Sequence, residues 1–158
     1  MNGNMEGKAA LVTGASGGIG LATARRFAKA GAGVALCARR TELIDEEVER
    51  LTAAGFKALA VPADVSDASQ VSAMVARAVE HFGRLDYAVN NAGVINEHGP
   101  THEILEQEWN RLISINLTAV WLCMKHELAR MVRQGSGAIV NVSSVAGLRA
   151  AVSVKNLH

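Results

Sequence analysis

Disulfides, membrane spans and a dominant charge are all missing from this sequence. Its 158 residues include only two cysteines, Cys37 and Cys123, and 4% aromatics. Two cysteines cannot build a disulfide framework, and their scarcity fits a reduced, cytoplasmic setting. No apolar run approaches the ~20 residues that a membrane span requires. The opening Met1-Asn2-Gly3-Asn4-Met5-Glu6-Gly7-Lys8 has neither the basic n-region nor the apolar h-region of a secretion signal. Sixteen Lys and Arg face fifteen Asp and Glu, a formal charge of +1. That balance gives no electrostatic case for binding nucleic acid or an acidic membrane. The five histidines, His81, His98, His102, His126 and His158, show no metal-ligand spacing. What is plentiful is Ala, Val and Gly. With few aromatics, that suits helices packed closely on a parallel sheet and argues against a β-sandwich. The length predicts one domain over 1–158, with 1–7 as a flexible start.

Short apolar runs alternate with amphipathic stretches. Ala9–Thr13 reads as a buried strand, and Gly18–Ala30 as a helix closed by Gly31. Val34–Ala38 is a second strand. Thr41 is expected to cap a helix over Glu42–Ala54, which buries Ile44, Val48 and Leu51. Lys57–Val61 is a third strand, ended by Pro62. Ser66 or Asp67 caps the next helix, whose Val71, Met74, Val75, Ala78, Val79 and Phe82 recur at helical spacing before Gly83. Leu85–Val89 is a fourth strand. Residues Asn96–His102 form a loop, and a long helical region runs from Ile104 to Arg133, bent near Ser114–Asn116. Gly137–Val142 is a fifth strand. Strand–helix alternation with short turns predicts an α/β fold: a Rossmann-like, doubly wound parallel sheet of five strands in the order 3-2-1-4-5. A ligand crevice is expected at the switch point beside the first strand. Trp109 and Trp121 are expected to pack inside, Tyr87 to be buried, and both cysteines to act as small buried hydrophobes.

Between the first strand and first helix lies Thr13-Gly14-Ala15-Ser16-Gly17-Gly18-Ile19-Gly20. Glycines let the backbone turn tightly and approach a pyrophosphate, and the helix N-terminus offers free N–H groups. The spacing is Thr-Gly-x-x-x-Gly-x-Gly. Asn90-Asn91-Ala92-Gly93 follows the fourth strand, and Ile139-Val140-Asn141-Val142-Ser143-Ser144 carries the fifth. On these three motifs the chain resembles the short-chain dehydrogenase/reductase family over roughly residues 5 to 150.

The resemblance implies roles position by position. Gly14, Gly18 and Gly20, with Ser16 and Ile19 among them, match the phosphate loop. Asp64, with Val65 beside it, matches the contact to the adenine ring, or serves as a turn carboxylate, or both. Asn90, Asn91 and Gly93 would tie the central strands and line the cofactor crevice. Asn116 matches the relay asparagine, where a bend would free backbone groups to hold a water. Ser144 matches the catalytic serine. No acid lies between Gly20 and Arg40 to bind a ribose 2′-hydroxyl, and Ala38 stands where NAD-preferring relatives place Asp. Arg39 and Arg40 suit a 2′-phosphate instead, which points to NADP(H), with NAD(H) as the alternative. Gly17 stands where many NADP-using relatives carry a basic residue.

The tail departs from the pattern. The family's Tyr-x-x-x-Lys would begin at Leu157, its Lys position lies beyond His158, and Lys155 cannot fill that slot. Residues 151–158 look unlike the family, as a frameshift, an early stop or clipping would leave them. The expected function is an NAD(P)-dependent oxidoreductase acting on a secondary alcohol or ketone, incomplete in this chain. The alternatives are a non-catalytic dinucleotide-binding module and a dimerisation partner of full-length relatives. Self-association is expected through the long helical region or an exposed fifth strand.

Overall fold

The computed structural model describes residues 5–95 and 100–145. Five strands, β1 (Ala9–Thr13), β2 (Gly33–Ala38), β3 (Ala58–Pro62), β4 (Tyr87–Asn90) and β5 (Ala138–Asn141), form one sheet in the order β3-β2-β1-β4-β5. Every pairing is parallel; at the centre Val12 lies opposite both Leu36 and Val89. This is the expected Rossmann-like order. Every residue of β1 and β2 is buried. Their continuous apolar runs follow from helices covering both faces.

Helices α1 (Gly18–Lys29) and α2 (Thr41–Ala53) cover one face. There Ala24, Ala28, Ile44 and Leu51 pack with Val12, Val34, Leu36 and Val89. Helices α3 (Ala68–Phe82) and α5 (Ala119–Gln134) cover the other. Val71, Met74, Val75, Ala78, Leu122 and Cys123 meet Leu11, Ala35, Cys37 and Ala88 there. The alanines on α1 let that helix sit close to the sheet. Two layers of helix on one parallel sheet are what the alternating sequence pattern required.

Several local expectations change. Asp67, not Ser66, caps α3: its Oδ1 accepts the N–H of Ser69 at 2.8 Å and of Gln70 at 3.2 Å. The Ser69 hydroxyl, with the Gln70 side chain and both N–H groups, holds that carboxyl down at about 2. Thr41 does not cap α2. It is the first helical residue, and Arg40 holds the cap position with extended backbone and no side-chain cap. The long helical region is not one helix. A 3-10 turn (Thr101–Glu103) precedes α4 (Glu106–Ile113), and a π-helical segment (Ser114–Thr118) joins α4 to α5. The expected bend is therefore a π-segment, a widening of the helix common at functional sites.

Trp109 and Trp121 do not pack inside: they are 57% and 55% exposed. The helical region turns its buried stripe of Ile115, Ala119, Leu122 and Cys123 inward, which leaves both indoles on the outer side. Lys125 reaches over the Trp121 ring, 5.5 Å from its centre. Tyr87 is half-buried and stacks on Phe27 at 5.6 Å. Residues 1–4, the loop stretch 96–99, with His98, and residues 146–158, with Lys155, Leu157 and His158, lie outside the described residues.

Candidate functional site

The site begins where β1 ends. Thr13 is fully buried, and its hydroxyl oxygen accepts the N–H of Asn91 at 3.0 Å and of Ala92 at 3.1 Å. The Asn91 amide nitrogen in turn donates to the carbonyls of Thr13 at 3.0 Å and Gly14 at 3.4 Å. The end of β4 is thereby stitched to the start of the glycine loop. The spacing of glycines in that loop reflects this contact. A Cβ on Gly14 would stand 2.8 Å from the Asn91 amide nitrogen; one on Gly20 would stand 2.6 Å from it and 2.5 Å from the Gly14 carbonyl oxygen. Gly14 and Gly20 thus serve packing within the loop. A Cβ on Gly18 would meet nothing within 4 Å, and one on Gly17 would meet only the Arg40 guanidinium, at 4.0 Å.

Helix α1 starts from Gly17 without a side-chain cap and without an acid in its first turn. Its first N–H groups are the donors that a helix leaves unpaired, at the positive end of its dipole. They border a cavity of about 390 Å³, lined by Gly14, Ser16 and Gly18 on the loop, Arg39 and Arg40 after β2, Asp64 and Val65 after β3, and Asn91 and Gly93 after β4. This crevice lies at the C-terminal strand ends beside β1, where a doubly wound sheet places its ligands.

Asp64 is tightly held. It accepts the N–H of Ser66 at 2.9 Å and its hydroxyl at 2.7 Å, and Arg39 stands 3.8 Å away. Burial works to raise its pKa, but these bonds and the Arg39 charge outweigh it, so the carboxyl stays below its ordinary range. On the other flank, Arg25 of α1 donates two bonds, at 2.7 and 2.6 Å, to the buried Glu47 of α2. That pair locks together the two helices whose starts border the crevice. The Arg25 bonds hold Glu47 below its usual range against the opposing effect of burial.

A second cavity adjoins the first. It brings together Ile19, which is 66% exposed, with Asn91, Gly93, Asn116 and Ser144. The Asn116 side chain is committed: its oxygen accepts the Val94 N–H and its nitrogen donates to the Val94 carbonyl, both at 2.8 Å. The π-segment therefore clamps the strand-end loop that follows Asn91. Both candidate catalytic residues, Asn116 and Ser144, border this one space.

Two sequence candidates lie outside both cavities. Gly20 packs beneath the loop. Asn90, at 3% exposure, points into the sheet interior and donates to Glu127 at 3.1 Å and to Asn141 at 3.0 Å. The expected tie between central strands is present, but the Asn90 side chain does not line the crevice. Sequence reasoning missed Glu127, a buried acid on α5. Its position in the buried stripe, four residues past Cys123, was the available signal. Both cysteines are buried, and burial pushes their thiols up to about 12, which leaves them unreactive.

A doubly wound sheet with a glycine-lined crevice and an uncapped helix start at its switch point defines a Rossmann-like fold of the kind that takes up dinucleotides. The profile of the family described as short chain dehydrogenase matches residues 8–156. Cis-4-hydroxycyclohexanecarboxylate dehydrogenase of Sinomonas cyclohexanicum is 47% identical over 140 residues, covering 89% of this chain and 56% of that protein. A 3-oxoacyl-acyl-carrier-protein reductase of Staphylococcus aureus is 43% identical over 141 residues, covering 89% and 57%. Among solved structures, a metagenomic short-chain oxidoreductase in complex with NADP superposes with a TM-score of 0.89 at 37% identity, covering 94% of this chain and 67% of that one. An actinorhodin polyketide ketoreductase variant with NADPH gives 0.86 at 39% identity, covering 92% and 56%. The chain belongs to the short-chain dehydrogenase/reductase family. It spans about half the length of the curated relatives it matches.

Proposed function

We propose that this chain binds a nicotinamide dinucleotide, NADP(H) in preference to NAD(H), across the two adjoining cavities. The observation that carries this reading is the uncapped start of α1 opening on a cavity with two arginines at its rim. The donors of Gly18 and Ile19 suit a pyrophosphate, Asp64 and Val65 border the adenine side, and Arg39 lies at the ribose end. Asn91 and Gly93 separate that half from the second cavity, where the nicotinamide would face Ser144 and Asn116. The NADP and NADPH complexes of the similar structures support the same preference.

In a protein of the relatives' length, the reaction is hydride transfer between the nicotinamide and a secondary alcohol or ketone. Ser144 would hold the substrate oxygen, and the widened helix at Asn116 would serve a proton relay. The chain's single tyrosine, Tyr87, borders neither cavity and stacks on Phe27 instead. Saturable cofactor binding without turnover is therefore expected from these residues. Titration of NADPH and NADH, followed by calorimetry and by nicotinamide fluorescence, tests it. No saturable binding of either nucleotide refutes the reading, and turnover of a ketone panel refutes the assignment of a binding half.

The same reading includes self-association and a cytoplasmic setting. Leu117, Trp121, Leu128 and Val132 lie 48–75% exposed along the outer side of the π-segment and α5, and Val140 on the edge strand β5 is 56% exposed. Apolar groups in such numbers on one helix face, or on an open strand, favour burial against another copy. Sedimentation showing a monomer at high concentration overturns this part. The cytoplasmic assignment rests on the two free, buried cysteines.

A further inference from the structure

We infer that Glu127 is a positioning residue for the second cavity: as a neutral acid it ties α5 to the ends of β4 and β5, and its ionisation loosens that tie. The inference rests on the proposed cofactor reading and goes beyond it, because Glu127 borders neither cavity. It acts only through the residues it holds.

Asn90 is buried and stands opposite Asn141 in the parallel pairing of β4 with β5. Its amide nitrogen has two protons, and both are used. One goes to Glu127 Oε2 at 3.1 Å and the other to Asn141 Oδ1 at 3.0 Å. Asn141 in turn donates to the Met124 sulfur at 3.2 Å, so the row of contacts returns to α5. The backbone adds one more link: the Val142 N–H donates to the Asn90 carbonyl at 2.9 Å. Asn141 and Val142 line the second cavity together with Asn91, Asn116 and Ser144. The row therefore runs from a fully buried acid to the wall of that cavity. Asn116 lies on the π-segment that leads directly into α5, and Ser144 lies just past β5. Glu127 thus fastens together the two elements that carry the candidate catalytic residues.

The row is short of donors. Glu127 Oε1 and Asn90 Oδ1 are both buried and without a partner among the described residues. An ionised carboxyl there is a buried charge held by one hydrogen bond, whereas a protonated one brings the donor that the row lacks. Among the described residues Glu127 forms no ion pair. On α5 itself, Cys123 is a neutral thiol, Lys125 lies over the Trp121 ring, and Arg130 and Arg133 donate to the Gly83 and Ala129 carbonyls; His126 follows Lys125. Helix α3 turns Val71, Met74, Val75 and Ala78 inward and leaves Arg77, Glu80 and His81 exposed. On β4, Tyr87 packs in the cluster on the other face of the sheet. The π-segment and β5 carry no titratable group. Burial accordingly raises the Glu127 carboxyl to about 7.

The test has two arms, each comparing the wild type with Glu127→Gln, which keeps the shape and cannot titrate. The first follows the side-chain amide resonances of Asn90 and Asn141 and the Val142 N–H by NMR. All three are expected to shift together with one midpoint near 7 in the wild type and to stay fixed in Glu127→Gln. The second measures binding of NADH, NADPH and 5′-AMP by calorimetry at pH 6 and pH 8. If the neutral form alone is competent, wild-type affinity for both dinucleotides falls by up to about tenfold over that interval. Glu127→Gln should not show this loss, and dividing by its values cancels the titration of the nucleotide phosphates. The ligand 5′-AMP reaches only the first cavity, so its corrected affinity is expected to change less than about threefold. Glu127→Leu, which gives Asn90 no acceptor, is expected to bind NADH more weakly at both pH values, with Gln restoring it. Equal pH dependence in wild type and Glu127→Gln, or an equal loss for 5′-AMP and NADH, overturns the inference while leaving cofactor binding intact. Failure of the wild type to bind any nucleotide overturns the cofactor reading instead; the resonances then still decide the tie, which unmoved Asn141 and Val142 signals overturn. Circular dichroism at each pH separates lost binding from lost folding.

Discussion

Glu127 should make this protein lose stability as pH rises toward neutrality. Its side chain is wholly buried on α5, with one oxygen accepting from Asn90 at 3.1 Å and the other without a partner among the described residues. Cys123 is a neutral thiol, and Arg130, one turn along, turns its Nη2 to the Gly83 carbonyl and forms no ion pair with Glu127 among the described residues. Burial therefore raises the carboxyl from about 4.5 to about 7, against the smaller opposing effect of the Asn90 bond. The folded state binds the proton more tightly than the unfolded chain does. The stability linked to it is fully present below about pH 4.5 and is lost as pH rises through about 7. That interval corresponds to about 3 kcal/mol, or roughly 6–12 °C in Tm for a chain of this size. Glu127→Gln removes the titration but keeps an acceptor for Asn90. Thermal or urea unfolding between pH 5 and 8 should show the wild type declining relative to this variant, with most of the divergence between pH 5 and 7. Asp67, Asp86 and Glu47, all held low, act in the opposite sense and only at more acidic pH. Parallel curves for the two proteins across that range would refute the reasoning.

Gly20→Ala should destabilise the fold by about 1–3 kcal/mol, because its Cβ would press on the Gly14 carbonyl and the Asn91 amide; unfolding midpoints check this, and a neutral result would show that the loop yields freely. Thr13→Val keeps the shape of the buried side chain but leaves the N–H groups of Asn91 and Ala92 without their acceptor. It should cost about 1–3 kcal/mol and speed hydrogen exchange at both amides, and unchanged exchange there would count against the stitch between β1 and β4.

The sheet was legible because it depends on coarse features. Short apolar runs bounded by glycines, such as Ala9–Thr13, read as strands buried on both faces, and the stripe from Val71 to Ala78 reads as a helix on a core. The helical region from Glu106 to Gln134 and its interruption near Ser114–Asn116 were legible too, but not the π winding there, because a hydrophobic pattern does not distinguish α from π. The backbone over Ser114–Thr118 shows where the extra residue is accommodated, and Asn116 within it clamps Val94. The tryptophans misled for a related reason: a residue's size predicts burial only where a partner surface exists, and among the described residues none covers Trp109 on α4 or Trp121 on α5.

The site divides along the same line. Its glycines, asparagines and acids could be named from spacing, since each spacing reflects one strand-to-helix turn. What spacing could not show is direction. Asn90 and Asn91 are adjacent, yet a strand's alternation sends Asn90 to Glu127 in the interior and Asn91 to the glycine loop. Arg39 and Arg40 are adjacent, yet one stands 3.8 Å from Asp64 and the other donates to Ser16. In each pair the functional difference comes from which way a side chain points at a strand end. A one-residue insertion between Ala38 and Thr41 should therefore disturb cofactor preference more than a charge-conserving change at either arginine, because it would redirect both at once.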